Sequence, residues 1–81
     1  MSNFHATLGG RNFPSKKALK DAVEAEQPVA FTDTSAFSNR GTVKAAELTP
    51  SDVVVGPDPY RDRRWYANVK VKAKTGNFTV V

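Results

Sequence analysis

The sequence predicts an α+β domain: one helix packed on a small, mainly antiparallel β-sheet of about four to six strands. Three observations carry this. Apolar and polar residues alternate from Phe4 to Leu8 and again from Arg64 to Lys74, the period-2 signature of strands with one buried face. Ala18, Leu19, Ala22 and Val23 recur at helical spacing. Turn-forming clusters of Gly, Pro, Asn, Asp and Ser separate the periodic segments.

Taken in order, Phe4, Ala6 and Leu8 face one way and His5 and Thr7 the other, giving an amphipathic first strand. Gly9-Gly10 is a turn pair in which either glycine can take positive φ. Arg11 to Phe13 returns as a short second strand of a tight hairpin. Pro14-Ser15 then opens a helix over residues 16–26, with Ser15 as the N-cap. Lys16, Lys17, Lys20, Asp21 and Glu24 lie mostly off its apolar face. Lys20 and Glu24 sit four apart and pair weakly, in the less favourable order. Lysines in the first turn and glutamates in the last oppose the helix dipole, so packing must hold this helix. Pro28 marks its end.

Val29 to Phe31 reads as a third β segment reaching Thr32, followed by turns at Asp33-Thr34-Ser35 and Ser38-Asn39-Arg40-Gly41. Thr42 to Leu48 reads as a short strand running into a turn, and Thr49-Pro50-Ser51-Asp52 as another turn. Val53-Val54-Val55 is a β-branched run suited to a buried strand. Gly56-Pro57-Asp58-Pro59-Tyr60 reads as a stiff connection, because its prolines cannot donate to a ladder. From Arg64 to Lys74 a long strand turns Trp65, Ala67, Val69, Val71 and Ala73 inward. After Thr75-Gly76-Asn77, Phe78 to Val81 pairs back as a final strand.

At 81 residues the chain makes a single domain spanning 1–81. A core of that size supplies roughly 3–5 kcal/mol unless something staples it. Without cysteine there is no disulfide, and His5 as the one histidine leaves no zinc ligand set. Hydrophobic residues at 40% and charged residues at 25% place the chain among globular proteins. Met1-Ser2-Asn3-Phe4-His5 has no signal-peptide pattern and no segment is apolar enough to span a bilayer, so a cytoplasmic protein away from membranes is expected. Residues 1–39 balance Arg11, Lys16, Lys17 and Lys20 against Asp21, Glu24, Glu26 and Asp33. The whole net charge of +4 therefore sits in residues 40–81, which points to an anionic partner or to solubility alone.

The residues do not assemble into catalytic machinery. His5 lies on the polar face of the first strand and reads as an uninvolved histidine rather than the centre of a triad. Gly9-Gly10 lacks the Gly-Lys-Ser/Thr of a phosphate loop, and Asp58 and Asp62 read as turn residues rather than metal ligands. The chain is expected to be no enzyme and to carry no cofactor or metal.

Two binding surfaces are legible instead. The loop from Gly56 to Trp65 concentrates Tyr60, Arg61, Arg63 and Arg64, residue types enriched at binding hot spots, on a proline-stiffened frame. Trp65 itself reads as the core anchor of the long strand. On the polar side of that strand, Lys70, Lys72 and Lys74 form a cationic row extended by Arg64 with Tyr66 between them. Such a row can track phosphates while an aromatic stacks on a base. The same lysines can serve only to guard a sheet against edge-to-edge aggregation, and that reading carries more weight.

Gly10-Arg11-Asn12-Phe13 with Ser15, Ala18-Leu19 and Ala22-Val23, then Val55-Gly56-Pro57-Asp58-Pro59-Tyr60 and Arg64-Trp65-Tyr66-Ala67, resemble in style and size small accessory proteins of actinobacterial tailed phages. The resemblance implies a protein made in a bacterial host's cytoplasm, of a group often without assigned function and sometimes acting on a host protein. No functional residue carries over from it. The expectation is a small non-catalytic binding module that docks on a host protein through Tyr60, Arg61, Arg63 and Arg64. Two alternatives stand beside it: nucleic-acid binding through Arg64, Tyr66, Lys70, Lys72 and Lys74, and a structural role through self-association, as a homodimer for example.

Overall fold

The computed structural model describes residues 3–34, 41–49, 51–72 and 74–81. Within them the chain runs β1 (Asn3–Leu8), β2 (Arg11–Asn12), α1 (Lys16–Glu24), β3 (Ala30–Asp33), β4 (Thr42–Val43), a 3-10 turn (Ala45–Glu47), β5 (Val53–Asp58), β6 (Asp62–Ala67), β7 (Val69–Val71) and β8 (Phe78–Val80). This is the α+β arrangement the periodicity predicts. The expected turn residues Ser35, Ser38, Asn39, Arg40 and Pro50, and the inward position Ala73, lie outside the described residues.

The main sheet has the order β4-β3-β1-β5-β6, with β2 paired to β1 beyond the reach of β5. All its pairs are antiparallel except β1 with β5, which run parallel with Asn3 opposite Val53 and Phe4 opposite Val54. β7 and β8 form a separate two-stranded sheet. The β1–β2 hairpin closes through Gly9 at φ 59° and Gly10 at φ 80°, the pair of positive φ values that a two-residue hairpin loop requires.

The helix starts as its sequence demands. Ser15 is extended at φ −148° and ψ 161°, and its Oγ accepts from Ala18 N at 3.2 Å. The helix ends at Glu24, two residues before the expected limit, for a reason that lies in Glu26. That residue stands at φ 59°. Glu26 N donates to Val23 O and Gln27 N to Ala22 O, both at 3.1 Å. This is the Schellman closure, built here without the glycine that usually takes the left-handed position.

One face of the sheet carries the core. Phe4, Ala6, Phe31, Val54 and Ala67 meet Leu19, Ala22 and Val23 of α1, with Phe13, Val29, Val69 and Val80 completing the cluster. Each large side chain so buried contributes roughly 1.5–3 kcal/mol relative to exposure. Val55 is also fully buried but stands outside this cluster, because its strand turns it to the opposite face.

The C-terminal half departs from the sequence reading in two places. The expected stiff connection is largely strand: β5 continues through Gly56, Pro57 and Asp58 and pairs with β6 as far as Asp62. Pro57 is tolerated because the register shifts there. Gly56 faces Trp65 and Pro57 faces Arg63, so Arg64 is an extra residue, a bulge of the kind that admits proline to a sheet. The expected long strand is divided. It breaks at Asn68 into β6 and β7, and Val71 stands 58% exposed where alternation turns it inward. β7 has left the main sheet to pair with β8, so Val69 still reaches the core beside α1 while Val71 does not.

Trp65 is half-buried and packs on the core. Its indole lies where a side chain at position 56 would stand: a Cβ on Gly56 falls 2.0 Å from Trp65 Cζ2. Gly56 is therefore a close-approach glycine rather than a turn glycine. Gly56→Ala is expected to cost roughly 1–3 kcal/mol of stability through overpacking, and clearly less in a Trp65→Ala background, as a denaturation double-mutant cycle would read. Glu26→Gly should do the opposite. Relief of a left-handed residue at about 1–2 kcal/mol, less glycine's entropy cost of about 0.5–1 kcal/mol, raises stability by roughly 0.5–1 kcal/mol in the same assay.

Candidate binding surface

The β5–β6 hairpin turns through Pro59, Tyr60 and Arg61. Asp58 shapes the turn, as its residue type suggests: its Oδ1 accepts from Tyr60 N at 2.9 Å and its carbonyl from Arg61 N at 3.3 Å. Arg63 Nε donates to Pro59 O at 2.8 Å across the loop. Pro59 is buried, so the turn is tied down rather than loose. Arg64 Nε lies 2.8 Å and 3.0 Å from the two carboxylate oxygens of Asp62. That pair is well exposed, so it orients Arg64 more than it stabilises the fold.

Of the sequence-predicted contact residues, Tyr60 is 68% exposed at the tip and Tyr66 55% exposed along β6. Arg61, Arg63 and Arg64 are exposed between them. The structure thus gathers Tyr60, Arg61, Arg63, Arg64 and Tyr66 on one hairpin.

His5 belongs to this region as well. Its ring meets Tyr60 edge-on, with centroids 6.3 Å apart and planes at 89°. Its Nε2 is 2.8 Å from Asn12 Oδ1, so the imidazole N–H donates to the amide carbonyl. Sequence alternation placed His5 on the polar side of β1 but carried no signal that a loop some 55 positions on folds beside it.

The lysines sit elsewhere. Lys70 and Lys72 follow the break at Asn68, and Lys74 lies in the turn before β8. The break has a physical cause. Asn68 exchanges backbone hydrogen bonds with Val81 at 3.0 and 2.9 Å, while its Nδ2 donates to Asp52 O at 2.8 Å. Asp52, itself buried, closes its own turn by accepting from Thr49 N at 2.8 Å. The amide therefore anchors the chain where it passes from one sheet to the other. Lys72 Nζ lies 3.5 Å from Glu24 Oε2, beside Thr79, whose hydroxyl donates to the same oxygen. Arg64 and Tyr66 are thus on β6 of the main sheet, whereas Lys70 and Lys72 are on the smaller sheet flanking the helix.

Thr79's hydrogen bond holds the Glu24 carboxyl below its ordinary range, against a smaller opposing effect of burial, with Lys72 and Lys20 adding to the lowering. Stability linked to Glu24 is thus present above the ordinary glutamate range and lost as pH falls through the depressed value. Denaturation midpoints followed from neutral to acid pH should fall less steeply in Glu24→Gln than in the parent, the difference opening only on the acid side.

A cleft of about 650 Å³ lies away from the hairpin, bounded among others by Val23, Val29, Val43, Ala45 and Phe78. Among the described residues no group of three or more His, Asp or Glu side chains could hold a metal ion, and no helix is long and apolar enough to cross a membrane. The chain matches no family model, no curated protein and no solved structure.

Proposed function

We propose that the chain is a non-catalytic binding module that docks on a protein partner through the β5–β6 hairpin. The observation that carries this is the braced loop: Tyr60 stands 68% exposed on a turn fixed by Asp58 and by the Arg63–Pro59 hydrogen bond, with Arg61 and Arg64 beside it. A loop already held in shape loses little entropy on binding, and an exposed Tyr among arginines has the chemistry of an interface anchor. The non-catalytic reading draws on the absence of cysteine and on the engagement of the one imidazole with Asn12. The likeness to phage accessory proteins makes a bacterial host protein, met in the host cytoplasm, the partner of choice. Three arginines on the hairpin favour an acidic surface on that partner.

The parent protein used as bait in nuclease-treated host lysate, beside Tyr60→Ala and the triple variant Arg61→Ala/Arg63→Ala/Arg64→Ala, tests the reading. The partner held by the parent should bind the triple variant at least about tenfold more weakly, given hot-spot losses of about 2 kcal/mol or more. Retention of that partner at parental level by both variants means that the hairpin is not the contact.

A further inference from the structure

The face of the main sheet turned away from α1 buries Val55 completely yet leaves Tyr66, its partner across the ladder, 55% exposed. Its central rung crosses β4, β3, β1, β5 and β6. Thr42 pairs with Thr32 and Thr32 with His5, while Val55 pairs with Tyr66. The parallel register of Phe4 with Val54 brings His5 and Val55 side by side one residue further on. The threonine hydroxyls bond each other at 3.1 Å. No Asp or Glu occupies an outward strand position of β1, β3, β4 or β5 on this face. Open sheet faces ordinarily mix both signs of charge. Here the face presents hydroxyls, an imidazole and the rings of Tyr66 and Tyr60, bordered by Arg61, Arg63 and Arg64.

We propose that this face binds single-stranded nucleic acid, bases stacking on Tyr66 and Tyr60 and phosphates meeting the hairpin arginines. Two independent features favour it. The outward positions of β1, β3, β4 and β5 hold no carboxylate to repel a phosphate, and the hairpin arginines attract one, with Asp62 of β6 offsetting Arg64. Two exposed phenol rings, Tyr66 on β6 and Tyr60 on the adjoining turn, offer the stacking platform that single strands use, whereas the bases of a duplex keep their faces to one another. This surface is distinct from the lysine row, where Lys72 is engaged with Glu24 on the smaller sheet. It also goes beyond the docking reading, which needs the hairpin tip but neither Tyr66 nor the open face.

Fluorescence anisotropy of a labelled oligothymidine and of a duplex, at about 50 and about 200 mM salt, tests it. The single strand should bind more tightly than the duplex and should weaken about tenfold or more across that salt interval, as about three phosphate contacts require. Tyr66→Ala should lose about tenfold, Tyr66→Phe should keep parental affinity, and Lys70→Ala/Lys72→Ala/Lys74→Ala should change it little. The Phe variant separates lost stacking from lost folding, and circular dichroism of each variant checks the latter. No binding at the lower salt overturns the proposal, as does preference for the duplex or parental affinity in Tyr66→Ala. A protein partner that survives nuclease treatment and is retained by Tyr66→Ala, with no oligonucleotide bound, leaves the docking reading standing and removes this one.

Discussion

The parallel contact between β1 and β5 places the second half of the molecule on the first. It is short, with Asn3 beside Val53 and Phe4 beside Val54. Such a ladder is too small to hold by its hydrogen bonds, which are individually worth only about 1 kcal/mol net. What fixes it is that Phe4 and Val54 are both fully buried under the apolar face of α1. A slip of one residue would turn Val54 to the open face and Val53 or Val55 into the core. Because β5 is pinned, its hairpin with β6 emerges beside β1, and Tyr60 meets His5. Residues far apart in sequence thus share a surface through one register and the helix that covers it.

Much of this frame is legible along the chain. The alternation of β1, the double glycine, the Ser15 cap and the apolar stripe of α1 are local signals, and each holds in the structure. The misreadings fall where a tertiary contact overrides a local preference. Pro57 and Pro59 speak against a strand, yet β5 persists to Asp58 because the bulge at Arg64 absorbs the missing ladder partner. Gly56 looks like a turn glycine when its neighbours are prolines. Its need is for space, and only the Trp65 ring across the ladder shows that. Asn68 continues a polar alternation, so nothing nearby marks it as the joint, and its partners Asp52 and Val81 stand far away in the chain. Glu26 gives no sign of the left-handed turn it makes, because the type that usually marks that turn is glycine.

The candidate surface divides in the same way. Composition singles out Tyr60 and the arginines, because Tyr and Arg concentrate in one short loop. The membership of His5, and the separation of Lys70 and Lys72 from Tyr66, depend on where the chain crosses between sheets. Strand alternation assigns sides of one strand but not the sheet that strand belongs to. A cationic row read from spacing alone therefore assumes a continuity that Asn68 interrupts.

Edge and face also differ in what they offer a partner. The outer strands of the main sheet are β4 and β6. β4 is two residues long, and β6 carries Asp62, Arg63 and Arg64 with a bulge at the last. Short length, charge and bulges are the devices that keep an edge from recruiting another strand. Strand addition is thus discouraged at both ends of the β4-β3-β1-β5-β6 path. The face beside β6 has no such guard. Its exposed rings are bordered by arginines, and the outward positions of β1, β3, β4 and β5 hold no carboxylate, while Asp62 of β6 is paired with Arg64. The same bulge that blunts the β6 edge sets Arg64 out of the regular ladder, next to Tyr66. Guarding the edge and furnishing the face with cations are then two consequences of one inserted residue.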